Sequence, residues 1–240
     1  MYEPLERPKI YRLLADRLLH QIRTRRLRPG DPLPTEQELM RRFGVGRSSV
    51  REALRLLESK GVIRSGGHGS FVVAEYGNAL VDSVRFLLTL EVFDLEELYE
   101  IRKVVETEFA ALAAARRTDD HLVRMEEAIR QMEAGLSSQA HYIEADLRFH
   151  LTVAEATRNR VAVYVMRAIR DPLHRALASV YYIPGSPQKS LAQHRAILEA
   201  VRAGDPGAAR LRMAEHLGRV HEDIRRILHT DGSDGHTRGE

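Results

Sequence analysis

At 240 residues the chain has room for one small and one medium domain, and its lack of Cys rules out a disulfide scaffold and any thiolate metal site. Net charge is only +3, yet residues 1–76 hold 15 Lys and Arg against 9 Asp and Glu, whereas the remainder holds 22 against 25. A basic head on a mildly acidic body is the footprint of a protein that meets phosphate with one end. The opening MYEPLERPKI has no apolar signal core and no apolar run reaches membrane-spanning length. Neither secretion nor membrane insertion is expected, and the absence of Cys fits a reducing cytoplasm.

The first helix is predicted over 10–26, with Ile10, Leu14, Leu18 and Ile22 on one side. Arg28-Pro29-Gly30-Asp31-Pro32-Leu33-Pro34 cannot continue it, because proline lacks the amide and Gly-Asp favours a turn. Thr35 then caps a second helix, with Glu38 three residues on as a capping box requires, and Leu39, Met40 and Phe43 give it an inward face. Gly44-Val45-Gly46 breaks that helix, and Ser48 or Ser49 can cap the next, whose stripe is Val50, Leu54 and Leu57. Two helices joined by a short Gly-containing turn form a helix-turn-helix, whose second member enters the major groove of DNA. Its outer face carries Arg47, Ser48, Arg51 and Arg55, and the planar fork of arginine suits phosphate and the guanine edge. Val62–Ser65 and Ser70–Val73 flank the turn Gly66-Gly67-His68-Gly69, which predicts a hairpin wing. Any one of these arginines reads equally well as a solvated helix face. The whole constellation reads as a DNA-binding head.

Residues 10–75 resemble the winged-helix domain of the GntR family, through RPGDPLPTEQEL, FGVGRSSVREALRLLESKG and GHGSF at the wing. The resemblance is to the FadR branch. It implies a double-stranded DNA operator as partner, contacted by Arg47, Ser48, Ser49 and Arg51, with Gly69, beside His68, entering the minor groove. Gln37 stands where many relatives place Arg. A neutral amide cannot neutralise phosphate, so this position either binds more weakly or reads a different base.

Beyond a hinge at Gly77-Asn78 the pattern is helical throughout. Helices are predicted at 78–90, 95–117, 118–136, 139–158, 161–180, 187–203 and 205–229. The expected architecture is mainly α: a winged helix-turn-helix domain over 1–76, then an all-α antiparallel helical bundle over 77–230. Residues 231–240, rich in Gly, Asp and Ser, read as a disordered tail.

Within the bundle, polar residues on apolar stripes carry the information. Asp146 and His150 share a face with Ile143, Leu147 and Leu151; His194 lies with Leu191, Ile197 and Leu198; His216 lies with Met213, Leu217 and Val220. A lone histidine on such a stripe is ordinarily a core residue. Three of them with an aspartate, on three helices that must pack together, suit a divalent first-row metal with room for water or a ligand. Arg102 sits on the stripe of Leu98, Val105 and Phe109, where it either pairs with Glu106 four residues on or clamps a ligand carboxylate.

The bundle resembles the FCD effector domain that follows FadR-type heads. In its metal-binding subgroup an Asp-x-x-x-His pair and two later histidines hold the ion, matched here by Asp146, His150, His194 and His216. This implies a divalent transition metal, zinc foremost, with nickel and manganese as alternatives. It also implies a small carboxylate effector bound by Arg102, with Asn159 at a turn lining the pocket. The turn here reads Arg158-Asn159-Arg160 in place of Gly-Asn-Pro. The function expected is a ligand-responsive transcriptional regulator, a repressor, acting as a homodimer on a palindromic operator. A metal-responsive regulator is the alternative. A metal-dependent enzyme is weaker, since no general base is evident and the DNA-binding head would be idle.

Overall fold

The computed structural model describes residues 9–67, 70–74, 81 and 95–233, with side chains up to residue 227. His68, Gly69, the hinge at Gly77-Asn78 and the predicted helix at 78–90, apart from the buried Val81, lie outside the described residues. The chain divides into two compact units, residues 1–80 and 81–240.

In the first unit α1 (Ile10–Arg23) buries Leu14, Ala15, Leu18 and Ile22. It ends three residues before the expected Arg26, because Arg25 takes a left-handed conformation at φ 58°, and Ile10 is 56% exposed rather than on the inward stripe. Helix α2 (Glu36–Phe43) has both halves of its capping box: Glu38 N donates to Thr35 Oγ1 (3.3 Å) and Thr35 N donates to Glu38 Oε2 (2.9 Å). Gly44, at φ 63°, supplies the left-handed turn that ends it. Helix α3 (Arg47–Ser59) buries Val50, Ala53, Leu54 and Leu57. Its N-cap is Gly46, with no side-chain cap, so Ser48 and Ser49 lie inside the first turn and neither caps the helix as expected.

The wing is β1 (Ile63–Gly67) paired antiparallel with β2 (Ser70–Val73), in the register Ile63 opposite Val73 and Ser65 opposite Phe71. The proline-rich loop before α2 does more than turn. Gly30 N donates to Val73 O (3.0 Å), Val73 N donates to Asp31 O (3.0 Å) and Leu33 N donates to Phe71 O (2.8 Å). The loop therefore lies along the free edge of β2, with the Gly30 and Leu33 amides facing the wing, while the Arg28 and Asp31 amides close the turn within the loop. Leu33, Leu39, Val50, Leu57, Ile63 and Val73 close one core beneath these elements.

The second unit is built from six described helices: α4 (Leu95–Arg116), α5 (Asp119–Ala134), α6 (Gln139–Ala156), α7 (Arg160–Val180), α8 (Ser186–Ala203) and α9 (Pro206–Ser233). Short turns join them, and α4 packs chiefly on α9, α5 on α6, α6 on α7 and α8 on α9. The inward face of α4 is Leu98, Tyr99, Arg102, Glu106, Ala110, Ala113 and Ala114, whereas Val105 and Phe109 are only partly buried. Alanines let two backbones approach closely, so the buried face keeps Leu98 but is turned away from Val105 and Phe109, which also marked it in the sequence. Phe149, Ile143, Met125, Leu173, Ile197 and Met213 form the centre of this core. No described helix is long and apolar enough to cross a membrane.

Candidate metal centre and nucleic-acid interface

Helix α6 presents Asp146 and His150 one turn apart, α8 presents His194 and α9 presents His216, all on buried faces. One ligand atom from each of the four lies within 4.8 Å of all the others. His194 Nε2 is 3.3 Å from His150 Nε2 and 3.3 Å from Asp146 Oδ1. Those are the separations of neighbouring ligands on a single ion bound at about 2.1 Å.

Each ring is oriented from behind. His150 Nδ1 meets Glu106 Oε2 at 2.5 Å, His194 Nδ1 meets the Ser190 carbonyl at 2.8 Å, and His216 Nδ1 faces Gln193 Oε1 at 3.4 Å. All three partners are acceptors, so Nδ1 carries the proton in each ring and the Nε2 lone pairs point inward. Bare nitrogens facing one another and a carboxylate at 3.3 Å repel unless a cation lies between them. Burial pushes the His194 imidazole down to about 4, against the pull of Asp146. Burial, reinforced by the neighbouring imidazoles, holds His216 well below its ordinary value. Neutral imidazole is the form that binds metal. The residues fit a divalent ion.

Glu106 extends the set to α4. Burial raises its carboxyl, but Arg102 and His150 outweigh that and hold it at about 2. Arg102, 1% exposed, forms a buried ion pair with Glu106, the first of the two roles its sequence position allowed. Glu106 thereby joins Arg102 to His150. Asn159 is exposed, and its Oδ1 accepts from Val161 N (3.0 Å) as the N-cap of α7.

A narrow cleft, with room for about one water, opens beside Asp146, lined by Tyr142, Ser186, Ser190 and Arg219 together with apolar side chains. Arg219 donates through Nε to Gln193 Oε1 (2.7 Å) and through Nη1 to Asp223 Oδ2 (2.7 Å) and Ser186 Oγ (3.0 Å). Glu106, Ser190, Gln193 and Arg219 were not singled out in the sequence as parts of this centre. The available signal was spacing: Ser190 precedes His194 by four residues, and Arg219 follows His216 by three.

In the first unit Gln37, Arg47, Ser48, Arg51 and Arg55 are exposed and Ser49 is partly buried. Glu36 was missed as a partner. It accepts from Arg47 Nε (3.2 Å) and from Arg51 Nε (3.1 Å), clasping the two arginines from the neighbouring helix. Desolvation pushes the Glu36 carboxyl up, and the two arginines more than reverse it, leaving it below its usual value.

Comparison with known proteins agrees with both units. Residues 10–73 match the model of bacterial regulatory proteins of the gntR family, and residues 97–219 match the FCD domain. The chain is 31% identical over 209 residues to the HTH-type transcriptional regulator LutR of Bacillus subtilis, covering 85% of this chain and 95% of that one. It is 30% identical over 223 residues to the HTH-type transcriptional repressor NanR of Cronobacter sakazakii, covering 90% of this chain and 86% of that one. A solved Streptococcus agalactiae GntR structure superposes with a TM-score of 0.68 at 27% identity, covering 88% of this chain and 99% of the other. These relatives are regulators of transcription and not enzymes. The chain belongs to the GntR family of bacterial transcriptional regulators, with a gntR-type DNA-binding head followed by an FCD domain.

Proposed function

We propose that this regulator is a ligand-responsive repressor that binds a palindromic operator as a homodimer in the cytoplasm. It senses a small carboxylate at a metal centre formed by Asp146, His150, His194 and His216. The observation that carries the reading is the convergence of three Nε2 lone pairs and one carboxylate, each ring held by an acceptor behind it. Zinc is the foremost ion for such a set, followed by nickel and manganese. Four protein ligands leave coordination positions for oxygens of an incoming acid when the metal expands to five or six.

In the head, Arg47 and Arg51 reach base edges and phosphates from the start of α3, with Ser48, Ser49, Arg55 and Gln37 as flanking contacts. His68 and Gly69 complete the interface at the wing. A repressor role accords with the name of the NanR relative. For the acid to change DNA affinity it must bind two arrangements of the dimer with different affinities, since occupancy alone shifts nothing.

The burial of all four metal ligands, none more than 3% exposed, favours a second reading in which the ion itself is the signal. One experiment separates the two. Operator affinity is measured by fluorescence anisotropy on zinc-loaded and chelated protein, each with and without a panel of small carboxylates. A carboxylate effect confined to the zinc-loaded protein supports the first reading. An equal response to zinc with no carboxylate effect supports the second. Affinity indifferent to both refutes the sensory role of the centre.

A further inference from the structure

We propose that Glu36, at the start of α2, is a positioning residue for sequence readout: it holds Arg47 and Arg51 of α3 outward, raising discrimination between DNA sequences while lowering overall affinity. This rests on the reading of α3 as the recognition helix. Glu36 stands 11 residues from Arg47 and 15 from Arg51, so the clasp bridges the two helices across their turn. The carboxylate meets each guanidinium at Nε, at 3.2 Å for Arg47 and 3.1 Å for Arg51. Among the described residues no hydrogen bond engages the Nη atoms of either arginine. Each side chain is therefore held from the flank with its outer edge free. That edge carries the two parallel donors that fit the O6/N7 edge of guanine or a phosphate.

An acid in this place works against DNA affinity, because a carboxylate repels phosphate. The helix end does not require it: the capping box of α2 is made by Thr35 and Glu38. The Glu36 side chain is 23% exposed, against 67% for Arg47 and 54% for Arg51, so it sits behind the guanidiniums. An unheld arginine samples many rotamers, and most hydrogen bonds open to it on DNA lead to phosphate and sugar, which carry no sequence information. Confining both arginines removes those alternatives before DNA arrives. One negative charge behind two positive ones also reduces the attraction that any duplex exerts, whatever its sequence.

The test is fluorescence anisotropy on the full-length, zinc-loaded protein with two duplexes. One is selected by the wild-type protein from a randomised pool, and the other has the same composition with its sequence scrambled. Glu36→Gln should bind the scrambled duplex about threefold tighter, with a steeper salt dependence. The ratio of selected to scrambled affinity should fall roughly 10-fold, as for one weakened base contact. Glu36→Asp keeps the charge but shortens the reach, so the ratio should fall with affinity for scrambled DNA unchanged. It carries the test if the glutamine variant does not fold. In an Arg47→Ala background Glu36→Gln should no longer lower the ratio, a coupling that a merely structural role would not produce. An unchanged ratio, or a gain in Glu36→Gln that is equal on both duplexes, overturns the inference and leaves α3 in the interface. Unchanged affinity for the selected duplex in both Arg47→Ala and Arg51→Ala removes α3 from the interface, and this inference with it.

Discussion

His150, His194 and His216 are each backed by a different acceptor: a carboxylate, a backbone carbonyl and a side-chain amide. The differences predict unequal consequences. His194→Ala removes the nitrogen that lies 3.3 Å from both His150 and Asp146, so bound metal per chain should fall sharply. Elemental analysis after dialysis would show this, and full retention would count against the ligand set. Glu106→Gln should do two things at once. It leaves the buried Arg102 charge without its partner, at a cost of about 3–5 kcal/mol in denaturant unfolding. It also weakens the orientation of His150, lowering metal affinity about 10- to 100-fold in a chelator competition. If both quantities stay at wild-type values, the Glu106 link has no energetic role. The convergence of Asp146, His150, His194 and His216 was legible in the sequence, because the four residues fall on apolar stripes of helical period. Glu106 was legible only as the partner of Arg102. Its bond to His150 joins residues 44 apart in the chain, and no local pattern carries such a contact.

At the scale of elements, the helix-turn-helix shows which local rules held. The Thr35–Glu38 box, the glycine break and the stripe of α3 all came from short-range chemistry and all formed. The serine cap did not, because Gly46 already provides the extended N-cap conformation one residue before the helix starts. Thr35→Ala should therefore cost about 1 kcal/mol of stability. Ser48→Ala and Ser49→Ala should leave stability within about 0.5 kcal/mol of wild type. Chemical denaturation compares them, and a Ser48 or Ser49 loss as large as that of Thr35 would restore the serine cap. On DNA, Arg51→Ala should weaken binding to all sequences and flatten the salt dependence by about one unit of slope. Arg47→Ala should also relax sequence preference, at about 1–3 kcal/mol for a lost base contact. Operator anisotropy across a salt series measures both, and unchanged affinity in both variants would remove α3 from the interface. The pairing of the 30–33 loop with β2 was hidden, since three prolines in seven residues signal a turn and conceal the donors between them.

Across the whole molecule, the two hydrophobic cores share no residue, so each unit carries its own cooperative packing. The candidate metal centre lies wholly in the second. Removing zinc with a chelator should lower the unfolding temperature of the second unit and leave that of the first unchanged. Differential scanning calorimetry would show one transition moving. Equal movement of both, or of neither, would contradict this assignment. The basic surplus of the first 76 residues and the helical period of the rest made this division readable in the sequence. The alanine face of α4 was not readable, because its burial follows from how closely a neighbouring helix approaches.

The depth of the histidine cluster has a consequence for time. His194 has no exposed surface and His216 only 2%, so an ion enters or leaves only when α8 and α9 locally open, and such opening is rare in a well-packed core. On the proposed function this makes metal loading a slow variable: a cell starved of the ion would go on responding with the molecules it had already loaded, and its loss of response would follow protein turnover and dilution by growth, not the fall in free metal.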